Sequence, residues 1–217
     1  MTQAVEFQYI FELFTLLISL AVAEMLTGFS RILKLRARRK AGVDPAARKV
    51  KVGWLVPLLG VLVLVDLATF WNIVWSARGV LDMQIATVLG VLVLIGGYYL
   101  VATLVFPDEP ELWPDFDAYY WLQKRYVVWG VFILNIAAQG AVALLGGGQT
   151  ADPETAAAIV AANPMFAVAS MVLLLNFPAF IWLALSKGRK TNIALMVFIV
   201  ASQFFVAIAS WGIKGLF

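Results

Sequence analysis

A single carboxylate, Asp66, stands midway along an otherwise apolar run from Trp54 to Trp75. Holding an acid at that depth in hydrocarbon costs roughly 2.5–3.5 kcal/mol on insertion scales, so such a residue marks a pathway or a polar lock. A protonatable group in mid-membrane is what proton- or cation-coupled transport requires. Amide and hydroxyl side chains recur at similar depth in other apolar runs: Asn135, Asn176, Ser202 and Gln203, with Asn72 and Gln139 nearer one end. Amides both donate and accept hydrogen bonds, so they can hold Asp66 charged or neutral. Together with Glu24 these residues form the candidate binding or permeation set. The same set supports a second reading. Intramembrane amides often serve only as interhelical hydrogen bonds, worth about 0.6 kcal/mol each. Asp66 is then a buried clasp in a structural, assembly or lipid-interacting protein.

Two further stripes adjoin this layer. Glu24, Thr27 and Arg31 follow one another at roughly helical spacing. Glu24 fits either the inner station of a cation path or an ion pair at the interface. Glu12, Thr15 and Ser19 make the other stripe. Glu12 joins Trp71 and Trp75, two indoles four residues apart, as a candidate outer vestibule. The indoles also suit the aromatic belt that anchors helices at a membrane surface.

The elements that must position these groups are long apolar segments. The chain has 217 residues, 63% of them hydrophobic and 13% charged, where a soluble domain is nearer half apolar and a quarter charged. Six runs are each long enough to cross a hydrocarbon core of about 30 Å: 7–31, 54–76, 83–106, 119–145, 164–186 and 192–213. The expected fold is an all-α, polytopic membrane helix bundle forming one domain. Asn163-Pro164 reads as a cap and first-turn proline for the fifth span, and Thr191 or Asn192 as a cap for the sixth. Gly96-Gly97 and Pro178 should loosen or kink the third and fifth spans. A short Ala-rich helix over 153–162 follows the turn at Gly146–Gly148.

Basic residues set the expected orientation. Of 16 Lys and Arg, 14 lie in or beside the connections 31–53, 107–118 and 187–191, leaving Arg78 and Lys214 opposite. The positive-inside rule places those connections in the cytoplasm and both termini outside, as in a bacterial inner membrane. Arg31, Lys34, Arg36, Arg38, Arg39 and Lys40 should continue the first helix beyond the lipid and meet anionic headgroups. The acidic cluster Asp108, Glu109, Glu111, Asp115 and Asp117 shares that face and is available to pair with them.

Internal similarity suggests a three-plus-three inverted repeat, 1–106 against 119–217. Asp66 overlays Asn176 at an offset of 110 residues, and Glu24 overlays Gln139 at 115. Inverted repeats are a common transporter architecture, with the site near mid-bilayer between the halves. Six helices make a thin bundle, so a homo-oligomer, most simply a dimer, is expected. The Gly-rich third span is a candidate close-packing face.

Composition narrows the chemistry. There is no Cys and no His, which excludes disulfides and removes the commonest catalytic base and metal ligand. Neither a phosphate-binding loop nor a dinucleotide fingerprint occurs, and no cofactor or enzymatic activity is expected. The basic cluster is explained by topology, so nucleic acid is not an expected partner. Membrane lipid and a small cation or proton are. No basic n-region precedes the first apolar run, so a cleaved leader is not expected.

Overall fold

Each long apolar run becomes a helix. The computed structural model describes residues 3–42, 50–146, 157 and 160–211. The elements are α1 (Gln3–Ala41), α2 (Leu55–Ser76), α3 (Ile85–Thr103), a 3-10 turn (Pro110–Leu112), α4 (Phe116–Leu144), α5 (Pro164–Leu174), α6 (Asn176–Leu185) and α7 (Arg189–Ala209). Among the described residues no strand forms. Six helical segments are long and apolar enough to cross a membrane, α5 and α6 counting together as one. Their outer surfaces carry exposed Leu, Ile, Val and Met, such as Leu16, Ile85, Val93 and Met171. That distribution is stable only against lipid, and the chain is a membrane protein by fold.

α1 spans 39 residues, about 58 Å at 1.5 Å per residue, nearly twice a hydrocarbon core. The helix therefore does continue through Arg31–Lys40, as its sequence implies. It ends at Gly42, whose φ of 70° is a left-handed cap conformation. The basic extension docks on the acidic connection after α3. Arg31 pairs with Asp108 at 3.4 Å, Arg38 with Glu111 at 3.5 Å, and Arg36 lies 4.9 Å from the Trp54 ring. The connections before α2 and α4 are clasped together, with Lys51 N donating to Pro114 O and Phe116 N to Lys51 O. Among the described residues no three acidic side chains converge to hold a metal ion.

Phe106 locks α1, α2 and α3 near this basic face. A Cβ on Gly28 would lie 2.1 Å from the Phe106 ring, and one on Gly60 2.5 Å from it. Both positions must be glycine for the ring to sit between the helices.

The predicted span 164–186 is a single crossing, Pro164–Leu185, interrupted in its middle as Pro178 implies. Pro178 offers no N–H to the carbonyl of Leu174 and its ring crowds that oxygen, so the helix breaks at Leu175. Gly96-Gly97 causes no comparable break, because α3 is continuous. Gly97 instead admits Leu134 of α4, whose Cδ2 would be 2.8 Å from an added Cβ. Part of the glycine face is thus consumed within the chain. Thr191 and Asn192 do not cap α7, which starts earlier, at Arg189, behind Gly188. Lys124 and Arg125 belong to α4 rather than to a connection, and Lys124 is buried. The predicted turn Gly146–Gly148 and helix 153–162 lie largely outside the described residues, although Gly146 does end α4 with a φ of 75°.

The inverted repeat is not visible as a symmetry of the packing. α1 packs extensively on α3, whereas the corresponding pair, α4 and α7, meet chiefly where Tyr120 and Lys124 reach Asn192. The second half of the bundle is organised differently. α2 packs on α4 and α7, and α6 packs on the same two helices. The four helices thus form a ring, with α4 and α7 joined across it at Asn192, and a void lies between them.

Candidate functional site: a half-open polar cavity

The void is a cavity of about 660 Å³, well within the 300–1,000 Å³ range of small-molecule sites. Its polar lining comes from Asp66, Asn72 and Ser76 of α2, Asn135 and Gln139 of α4, Asn176 of α6 and Gln203 of α7. Phe132, Phe177 and Phe180 supply much of the apolar wall. The cavity extends from the level of Asp66 toward Ser76 and Ala143, at the C-terminal ends of α2 and α4. Those ends lie away from the basic face. Toward the basic face the path is filled. Leu59, Leu62 and Val63 of α2 and Val127, Val128 and Val131 of α4 are all at most 1% exposed.

Asp66 is 5% exposed and is held from the side of α3 and α4. Tyr98 OH donates to its Oδ2 at 2.6 Å, and Asn135 Nδ2 lies 2.9 Å from Oδ2 and 3.1 Å from Oδ1. The same amide is 2.7 Å from Tyr98 OH and 3.1 Å from Val131 O, so its two hydrogens are shared among four acceptors. Tyr98 is buried and packs on Phe70, with ring centroids 4.4 Å apart. Among the described residues no Lys or Arg forms an ion pair with Asp66. Its charge is balanced by neutral donors alone, an arrangement that accommodates a bound cation or a proton.

Across the cavity, Asn176 sits where Pro178 breaks the fifth span. Ser202 Oγ lies 2.9 Å from its side-chain amide and donates its one hydrogen to Ile199 O at 2.7 Å. With the amide oxygen toward Ser202, Nδ2 is buried with no hydrogen-bond partner, although the residue is only 5% exposed and lines the cavity. A buried donor left unmade costs about 1–3 kcal/mol, and the amide avoids that cost when it is turned to donate to Ser202 Oγ, which is free to accept.

The structure thus gathers Asp66, Asn72, Asn135, Gln139, Asn176 and Gln203 on one cavity, with Ser202 directly behind Asn176. Glu24 is elsewhere. It lies 3.8 Å from Arg31 and lines none of the cavity, which favours the interface-pair reading over the inner-station one. The candidate vestibule of Glu12, Trp71 and Trp75 does not line it either. Successive helix residues turn by 100°, so Trp71 and Trp75 point away from the face carrying Asp66, Asn72 and Ser76. They pack on α1, with Trp71 4.8 Å from Phe11 and Trp75 6.0 Å from Phe7. Glu12 accepts from Gln8 at an exposed position.

Sequence reasoning missed Tyr98, because tyrosines near helix ends read as belt residues. Its offset from the interface, five residues inside Thr103, was the available signal. It also missed a second polar cluster. Buried Lys124 donates to Leu183 O and Asn192 Oδ1, each at 3.0 Å, and to Ser186 O. Tyr120 OH donates to the same Asn192 oxygen at 2.7 Å, and Asn192 Nδ2 donates to Gly188 O at 2.7 Å and Ser186 Oγ at 2.8 Å. The ammonium also lies 4.8 Å from the Trp121 ring. This clasp ties α4 to the end of α6 and the start of α7, and so closes the helix ring at its basic end.

No protein-family model, curated protein or solved structure matches this chain.

Proposed function

We propose that the protein is a small membrane transporter in which Asp66 binds a proton or cation at the floor of a cavity open to one side. The observation that carries this reading is a carboxyl side chain, paired only with neutral donors, on the wall of a largely apolar cavity of about 660 Å³ that also carries several amides. Open on one half and filled on the other, the chain has the form of a carrier in one of its two end states rather than of an open channel. By the positive-inside rule the filled side is cytoplasmic and the cavity opens outward, in the manner of a bacterial inner-membrane protein.

The purified protein in proteoliposomes tests this. Under imposed proton, sodium and potassium gradients, wild-type vesicles should show ion flux above empty vesicles, and Asp66→Asn should abolish it. One observation favours the second reading, the buried clasp: both Asp66 oxygens are already hydrogen-bonded. Absence of flux in the wild type, with Asp66→Asn folded and at least as stable, would establish that reading instead.

A further inference from the structure

We infer that the cavity takes up a cationic amphiphile from the bilayer, its ammonium head moving along a line of acceptors to Asp66 while its apolar body stays in a gap between α4 and α5. The inference deepens the transport reading by naming the solute and its route, and it rests on the cavity being a solute site. Three observations carry it.

The first is a missing wall. Pro178 divides the fifth span, and the two pieces pack differently. α6 packs on both α4 and α7. Among the described residues, α5 packs on α7 but not appreciably on α4. Toward the basic face the ring is closed, where Phe132 of α4 meets Phe177 of α6 with ring centroids 6.3 Å apart. Away from that face it is open between α4 and α5. Only the last two residues of α5, Leu173 and Leu174, line the cavity. Leu174 and, on α4, Ala143 line it and are also exposed, beside Met171 and Leu144 of the apolar outer surface. The cavity thus opens sideways into hydrocarbon.

The second is the chemistry of the wall formed by α2 and α4. Asp66, Thr69, Asn72 and Ser76 follow one another at three- and four-residue spacing on one face of α2, and all four line the cavity. Thr69 Oγ1 donates to Asp66 O at 2.8 Å, and Ser76 Oγ to Ile73 O at 2.7 Å. Each hydroxyl has its one hydrogen committed to its own helix, so it offers the cavity only lone pairs. Exposed Asn72 and Gln139 add amide oxygens. From Ser76 to Asp66 the line runs about 15 Å, at 1.5 Å per residue. Acceptors that lead to a carboxylate receive a donor cation and reject an anion.

The third is the head group the carboxylate suits. Tyr98 OH and Asn135 Nδ2, its immediate neighbours, present hydrogens, and among the described residues no three acidic side chains converge. A hard metal ion needs about six oxygens and finds few there. An ammonium brings its own hydrogens, and Oδ1, with a single bond at 3.1 Å, has capacity for one of them. A polar wall facing a lipid-filled gap accommodates a charged head and an apolar body in the same molecule.

The test uses the full chain in lipid nanodiscs at neutral pH and three probes, with heats corrected for empty discs. 4-Phenylbutylamine has the ammonium and the apolar body, 4-phenylbutan-1-ol lacks the charge, and methylamine lacks the body. Wild-type protein should bind the first at least about tenfold more tightly than either of the others, because charge-assisted hydrogen bonds are roughly twice as strong as neutral ones. Asp66→Asn should bind the amine and the alcohol alike. The route is read by fluorescence. The chain has no Cys, so Ile73→Cys and Val206→Cys, each on the cavity wall, can carry a single bimane label. Lipids brominated on their acyl chains should quench either label, and 4-phenylbutylamine should relieve the quenching. Labels that brominated chains leave unquenched, equal affinity for amine and alcohol, or no binding of the amine overturns the inference, as does an amine preference that survives Asp66→Asn. Selective amine binding and bromine quenching without ion flux would uphold the inference while ending the transport reading. Ion flux without amine preference would do the opposite.

Discussion

Two buried charges in this bundle are stabilised in opposite ways. Lys124 is surrounded by fixed acceptors. Leu183 and Ser186 carbonyls come from the end of α6, where unpaired carbonyls and the helix dipole favour a cation. Asn192 completes the shell, and its own amide hydrogens are used on Gly188 and Ser186. Nothing in the clasp is left over. Asp66 is held by two side chains only, stands beside a cavity, and has an Oδ1 that takes a single bond. A saturated network rigidifies and specifies one packing, whereas a partly satisfied one has capacity for a ligand. On the proposed reading, the basic end of the ring is structural and its middle is where a solute binds.

The contrast can be broken most directly at Lys124. Lys124→Met should cost about 3 kcal/mol, because charge-assisted bonds contribute roughly 1.5–3 kcal/mol each and the carbonyls would lose their donor. Thermal unfolding followed by helical circular dichroism in detergent should show a clear fall in midpoint. A wild-type midpoint would remove the clasp from the list of structural elements. Asp66→Asn should do far less to stability, within about 1 kcal/mol of wild type in either direction, since the amide keeps the shape and loses a buried charge. The same unfolding measurement checks it, and a loss comparable to that of Lys124→Met would erase the distinction between the two sites.

Smaller effects sharpen the picture. Tyr98→Phe keeps the ring on Phe70 and removes two interhelical hydrogen bonds, to Asp66 and from Asn135, each worth about 0.6 kcal/mol on average in membranes. It should move the midpoint only slightly yet alter ion flux, because the carboxylate loses its shortest donor. Flux identical to wild type would show that Tyr98 only packs. Smallest of all, Arg38→Gln removes an exposed pair with Glu111. Such pairs contribute about 0–1 kcal/mol, so unfolding should be unchanged within error. A drop of several degrees would mean that the basic extension of α1 is anchored more firmly than its 3.5 Å ion pair implies.

Much of this molecule is legible in one dimension. Six apolar runs of spanning length leave a chain no alternative to helices, since hydrocarbon offers no partner for a free N–H or C=O. The mid-depth polar residues were identifiable for the same reason: depth follows from counting along a helix. Asp66, Asn135, Asn176 and Gln203 do meet on one cavity. Facing was harder. Trp71, Trp75 and Asn72 are near neighbours in sequence, yet only Asn72 lines the cavity, and the two indoles serve the α1 contact. Glu24 looked equivalent to Asp66 as an acid in an apolar run, and Arg31, about two turns along the same helix, claims it.

What the sequence alone determined is the solvent and the element type: segments this long and greasy must cross a membrane as helices, and an acid among them must have a reason. What only the tertiary structure decided is who surrounds whom. That α2 and α6 stand apart while α4 and α7 join them into a ring is a property of side-chain packing between distant segments, and periodicity carries no record of it. The same holds for Lys124, which reads as an interfacial charge until the carbonyls of α6, some 60 residues away in the chain, close around it.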